Sequence, residues 1–323
     1  MKESNRQKIS QVVNEINLIQ TRIEFQVSRL KEKLDQFKNV EMENQTSEFW
    51  KTQALCDSLI RIRIFIEKNL SYIETLGVLS LCRYTFELVV WLKNIEADQR
   101  FALVYARRLI DDQIKFYKDL ANQLDREIIL YKSLAEEEAS LHKHAIENAI
   151  ALKAIDDEAA TGRRVAESMQ NASDSIDQKL KLHLVLYSDD VKYNGYKFQA
   201  NLIETQALPQ AIEYMNKNKE SLLKFDRQWA KTISELNLHL GNQHTHYLKW
   251  VWQGRAEYVG MHADFDLIYS YTSRLLHATP VSLTTNQKSL EDEEALMFLR
   301  YVGAQFNWII NYAEKHNVSQ TLH

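Results

Sequence analysis

Turn-forming residues are scarce in this sequence: seven glycines and two prolines, Pro209 and Pro280, punctuate 323 residues. A sheet protein of that length needs many more, because each tight turn draws on the positive φ of glycine or the fixed φ of proline. Long helices joined by few turns do not. The chain is therefore expected to be all-α, a helical bundle with an N-terminal coiled-coil helix and a long protruding helical arm. Hydrophobic residues at 45% suffice for a core, and charged residues at 26% fit a soluble protein.

The opening segment carries a heptad. Ile9, Val13, Ile16, Gln20, Ile23, Val27, Leu30, Leu34 and Phe37 alternate four- and three-residue steps, with Gln20 the single polar member. That is the a/d seam of a coiled coil, and one polar a-position often fixes its register. Its partner is left open by the pattern: an in-chain helical hairpin, a second copy, or a helix of another protein.

Further helical patterns follow at about 50–76 and through the Arg83 region to about Asn94, then a turn at Glu96 to Arg100. A very long run has few breakers before Gly162. The stretch from about Ala135 to Lys179 is rich in Ala, Glu, Lys and Asp and poor in large apolar residues, which reads as a protruding, partly exposed helical arm or hairpin rather than core. Asn194–Gly195 marks a turn, and Pro209 suits the first turn of a helix. The expected organisation is a coiled-coil helix over 1–45, a bundle from 46–125 and 200–316, and an arm with its connecting segment over 126–199.

A net charge of −4 and a pI near 6.2 exclude a globally basic surface, so a nucleic acid would have to meet a local patch. Cys56 and Cys82 match neither a disulfide framework nor a zinc site, which predicts reduced, buried thiols in a cytoplasmic protein. The N-terminus lacks the apolar core of a signal peptide. The most apolar stretch, Leu76 to Leu92, is interrupted by Arg83 and Glu87 and falls short of the roughly 20 residues a span needs. No membrane association is expected.

Two pairs carry the candidate chemistry: Arg83 with Glu87, and Ser273 with His277. Each is spaced i, i+4, so on a helix each projects from one face. Arg83 and Glu87 sit among Leu81, Phe86, Val89, Val90 and Trp91, where charges must be paired. A structural reading makes them a helix-face ion pair and His277 a cap on a last turn before Pro280. The histidines of His142-x-His144 and His244-x-His246 point apart on a helix, and no Glu-x-x-His motif is duplicated, so neither metal nor cofactor is expected.

The RxxxE element (Arg83, Glu87), the following DQRFALVYARRLIDD, the W-x-G element (Trp252 to Gly254) and the tyrosine-rich SxxxH helix (Ser273, His277) resemble domain-of-unknown-function family 5677. The resemblance covers about Leu76 to Leu120 and Trp250 to Trp308. That family is in turn distantly similar to HEPN-type helical bundles of RNA-cleaving toxins and antiviral effectors. Those carry R-x(4–6)-H on one helix; here Arg274 lies three residues from His277, so Arg83 would supply the guanidinium from another helix.

The resemblance implies a metal-independent ribonuclease acting on RNA, an effector or toxin of a bacterial antiviral defence or toxin–antitoxin system. In it Arg83 holds the scissile phosphate, His277 acts as general acid or base, Glu87 orients Arg83 or carries the second proton, and Ser273 fixes the imidazole or binds phosphate. Tyr269, Tyr271 and Arg274 stack on or clamp a nucleotide. A reading from a different class is a non-enzymatic adaptor, binding a partner protein or a second copy through the heptads and the arm.

Overall fold

The computed structural model describes residues 4–40, 45–69, 75–152, 158–240, 250–276 and 290–318, and no strand occurs among them. The fold class is all-α. Five long helices open the chain, α1 (Asn5–Leu18), α2 (Gln20–Asp35), α3 (Ser47–Asn69), α4 (Thr75–Ala97) and α5 (Phe101–Leu152). Then come α6 (Glu158–Leu180), α7 (Ser188–Asn194), α8 (Tyr196–Leu202), a π-helical turn (Ile203–Ala207) and α9 (Leu208–Leu240). The last part holds α10 (Trp252–Tyr258), α11 (His262–Asp264), a second π turn (Phe265–Tyr269), α12 (Ser270–Leu276) and α13 (Asp292–Val318).

Local chemistry accounts for the breaks. Ser4 and Gln7 form a reciprocal capping box at the start of α1. Gly195 has φ +80° and ψ 152°, a conformation only glycine adopts freely, and it separates α7 from α8. Pro209, which lacks an N–H, follows directly on the π turn inside a helical run that is unbroken from Tyr196 to Leu240. Gly162, read as a breaker, instead lies inside α6.

Two compact units result. The first comprises Met1–Leu109 and Leu223–His323, and the second Ile110–Leu222. In the first, α2 lies on α3, and α13 packs against α1, α2, α3 and α4. Its core is built from Ile23 and Leu30, Leu55, Leu59 and Ile62, Leu79, Phe86 and Val90, and Phe298, Val302, Phe306 and Ile309. The heptad seam is thus covered within the chain, by α3 and α13.

The seam itself differs from the heptad reading. Val12, Ile16, Ile19, Ile23, Val27 and Leu30 are the buried stripe, with Ile19 where the alternation put Gln20. A helix advances 3.6 residues per turn, not 3.5, and the run is divided at Ile19. Gln20 points to the surface and donates to Glu67 at 3.0 Å. The buried polar member is Gln26, which accepts from Asn317 Nδ2 at 2.6 Å.

The second unit has a core of its own, formed by Leu124, Ile128, Tyr131 and Leu134 of α5, Ile176 and Leu180 of α6, Tyr196 and Ala200 of α8, and Ile203. Ile176, in the stretch read as a partly exposed arm or hairpin, belongs to this cluster. That cluster is sparse and partly aromatic, which is why an apolar count along the chain misses it.

His316 of α13 is buried against α3. Thr52 Oγ1 donates to the Glu48 carbonyl at 2.8 Å and lies 2.9 Å from His316 Nε2. A hydroxyl has one proton, so His316 Nε2–H donates to Thr52, which sets the tautomer. Burial first, then the charges of Lys51 and Lys33, push this imidazole down to about 3 from an ordinary 6.5.

Two outcomes test the packing. Ile23→Ala, at a fully covered position, should cost about 2–5 kcal/mol in denaturant unfolding, whereas Leu18→Ala on the exposed side should cost about 0.5 kcal/mol or less. Below pH 6.5 the unfolded chain takes up a proton that folded His316 refuses. Stability present above that pH is therefore lost as pH falls towards 3, at about 1.4 kcal/mol per pH unit for this group. His316→Gln should decline less steeply than wild type over that window in pH-dependent melts; parallel curves would refute the assignment.

Candidate functional site

One turn of α4 separates Arg83 from Glu87, and the two face α12 and the π turn before it, both of which pack on α4. Arg83 Nε donates to Glu87 Oε1 at 3.1 Å, and the two side chains are 26% and 27% exposed. Arg83 Nη2 donates to the Tyr269 hydroxyl at 3.3 Å, and the guanidinium carbon lies 4.8 Å from the centre of that ring. The chain thus ties the RxxxE helix to the SxxxH helix through the residue one helical turn before Ser273.

Tyr269 is held from several sides. Phe265 stacks on it at 5.0 Å with planes 16° apart, Phe86 lies 5.7 Å away and Trp252 6.2 Å away. Phe265 and Tyr269 bound the π turn, whose extra residue turns the side chains that follow it relative to a regular helix. With cation and rings packed around it, Tyr269 positions Arg83.

Tyr271 faces another way. Its hydroxyl donates to Glu294 at 3.0 Å and its ring lies 5.7 Å from Phe298, so it ties α12 to α13. Ser273 is half-buried on α12 and Arg274 is exposed in its last turn. His277 lies outside the described residues. The structure therefore joins Arg83, Glu87 and Tyr269 directly, carries Ser273 on a helix packed against α4, and directs Tyr271 elsewhere.

Electrostatics add residues that the motif spacing did not single out. Burial raises the Glu87 carboxyl above its ordinary value, and the hydrogen bond and charge of Arg83 oppose the rise. On α3, Asp57 is also raised by burial, against a 2.9 Å hydrogen bond from Gln53 and the charge of Arg61. Tyr84 of α4 is raised by burial too, against the charge of Arg61 and a hydrogen bond to it, and it feels both Glu87 and Asp57. Asp57 and Arg61 repeat the i, i+4 acid–base spacing of Arg83 and Glu87 with the order reversed. That repeat was the available signal.

Along α4 the same side continues from Glu87 to Trp91, whose indole stacks on Trp250 with centroids 3.4 Å and planes 16° apart. Trp250 meets Trp252 edge-on at 5.6 Å, and the Arg255 guanidinium lies over Trp250 and Phe101. Trp250, together with Trp252 of the W-x-G element, thus forms an aromatic bridge between Trp91 and Tyr269. Among the described residues no cluster of three or more His, Cys, Asp or Glu side chains is arranged to hold a metal ion. Cys56 and Cys82 are buried, free thiols. No helix among the described residues is long and apolar enough to cross a membrane. The chain matches no family model, no curated protein and no solved structure.

The opposing influences on Glu87 give a direct test. Replacing Arg83 by Met removes the group that holds the carboxyl down and leaves the burial. The Glu87 titration, followed by ¹³C NMR of its carboxyl carbon, should move to higher pH than in wild type. A midpoint unmoved or lowered would show that the pair is not coupled.

Proposed function

We propose that the chain is a metal-independent RNA-cleaving effector acting in the cytoplasm, in a bacterial antiviral defence or toxin–antitoxin setting. The observation that carries this reading is the partly exposed Arg83–Glu87 pair, bound through Tyr269 to the helix of the SxxxH motif. The biological setting rests on the resemblance to family 5677 and, through it, to HEPN-type bundles. Arg83 spends Nε and Nη2 on protein partners. Its remaining donors suit phosphate oxygens, because a planar fork pairs with two of them.

In the proposed reaction His277 takes the proton of the ribose 2′-hydroxyl, and the 2′-oxygen attacks phosphorus. The bond from phosphorus to the 5′-oxygen breaks, and a carboxylic acid protonates that leaving oxygen. The products are a 2′,3′-cyclic phosphate and a free 5′-hydroxyl. Glu87 supports the acid role because burial raises its carboxyl towards the neutral form. Ser273 steadies the imidazole.

An adaptor reading has one observation in its favour: Leu182, Leu184 and Leu186 of the second unit are 84%, 88% and 55% exposed. The heptad seam no longer supports it, since α3 and α13 cover it.

Expression of wild type beside Arg83→Ala and His277→Ala, with total RNA and tRNA integrity as readout, separates the two. Wild type should fragment RNA, and each variant should slow cleavage by about 10²- to 10⁴-fold. Purified wild type should keep its activity in chelator. RNA equally intact in all three, with the proteins folded, sinks the ribonuclease reading and leaves the adaptor.

A further inference from the structure

The aromatic side chains around Arg83 are not equivalent. Trp250 is buried and lies face to face with Trp91. Tyr269 carries the Arg83 guanidinium over its ring and has Phe265 stacked in parallel. Trp252, at the start of α10, is half-buried and differs from both. It meets Trp250 edge-on, with planes 83° apart, and Tyr269 at a 37° tilt. Among the described residues no ring stacks in parallel on it. Its sequence neighbours Val251 and Gln253 are exposed.

We infer that Trp252 stacks the base adjoining the phosphate held by Arg83, and that the substrate is therefore single-stranded at that nucleotide. This rests on the ribonuclease reading above and names the form of its substrate. Trp252 lies one ring beyond the guanidinium, with Tyr269 between, so a phosphate on Arg83 has its own base in reach of the indole. Stacking on a tryptophan needs a base with a free π-face. In a duplex that face is covered by the next base pair, whereas an unpaired nucleotide splays it out. Tyr269, whose surroundings are filled by Arg83, Phe265 and Phe86, orients the guanidinium and leaves the base to Trp252.

The test uses the full chain and a fluorescent 2′-O-methyl oligoribonucleotide, which lacks the attacking hydroxyl and so reports binding alone. It is offered single-stranded and as the blunt duplex of the same sequence. Wild type should prefer the single strand, Trp252→Ala should weaken that binding by about ten-fold or more, and duplex binding should barely change. Trp252→Phe should keep most of the affinity and lose part of the tryptophan quenching that binding produces, a signature that a purely structural role would not give. A folded Trp252→Ala with wild-type affinity for the single strand overturns this inference and leaves the ribonuclease reading standing. Wild type that binds neither RNA overturns both. Should Trp252→Ala not fold, the Phe variant decides: unchanged quenching refutes stacking on Trp252.

Discussion

Along one side of α4, Leu79, Cys82, Phe86, Val89 and Val90 are fully covered, and α13 supplies Phe298, Leu299, Val302 and Phe306 to the same core. Cys82 Sγ even reaches the Phe298 carbonyl at 3.5 Å. A helix held so fully on one stripe cannot rotate about its axis without uncovering several large side chains. Its next stripe is thereby set as well. Arg83, Glu87 and Trp91 follow at four-residue steps and face α10, the second π turn and α12. The seam between α4 and α13 fixes where the polar pair points before any polar contact is made.

The contacts that the pair then makes balance a cost. Taking a carboxylate partly out of water disfavours its charged form, and the rise at Glu87 expresses that cost. Arg83 offsets it from one turn away, while Tyr269 gives the guanidinium both a hydroxyl acceptor and an aromatic face. Removing any one of the three leaves the other two less well satisfied. A cluster coupled in this way is held in place and is still about a quarter exposed to solvent. A fully sealed salt bridge would be fixed just as well but could meet nothing.

The all-α class was readable because it depends on an average, the scarcity of glycine and proline, which no tertiary contact can override. Pairs within one helix were readable for a related reason, as Arg83–Glu87 shows: i, i+4 geometry is local. Ile19 was harder. The choice between it and Gln20 turns on whether the helix winds at 3.5 or 3.6 residues per turn, and the covering surface of α13 decides that from some 290 residues away. Tyr269 lies 186 residues from Arg83, and a π turn that no spacing rule announces helps set its direction. Trp252 was visible only as part of a short W-x-G element, with nothing to say that its ring stands beside Tyr269.

The second unit shows a polar contact deciding where apolar groups go. Glu127 is almost completely buried, yet its Oε1 accepts the Leu186 N–H at 2.7 Å, and Gln123 donates to the Leu184 carbonyl at 2.7 Å. These two bonds anchor Leu184 and Leu186 by their main chains to α5. Val185 and Tyr187 then pack on the core of the unit, and Leu182, Leu184 and Leu186 face outward. Releasing the Leu186 N–H would take one of two hydrogen bonds from the Oε1 of a buried carboxylate, the other coming from Gln123 Nε2 at 3.0 Å.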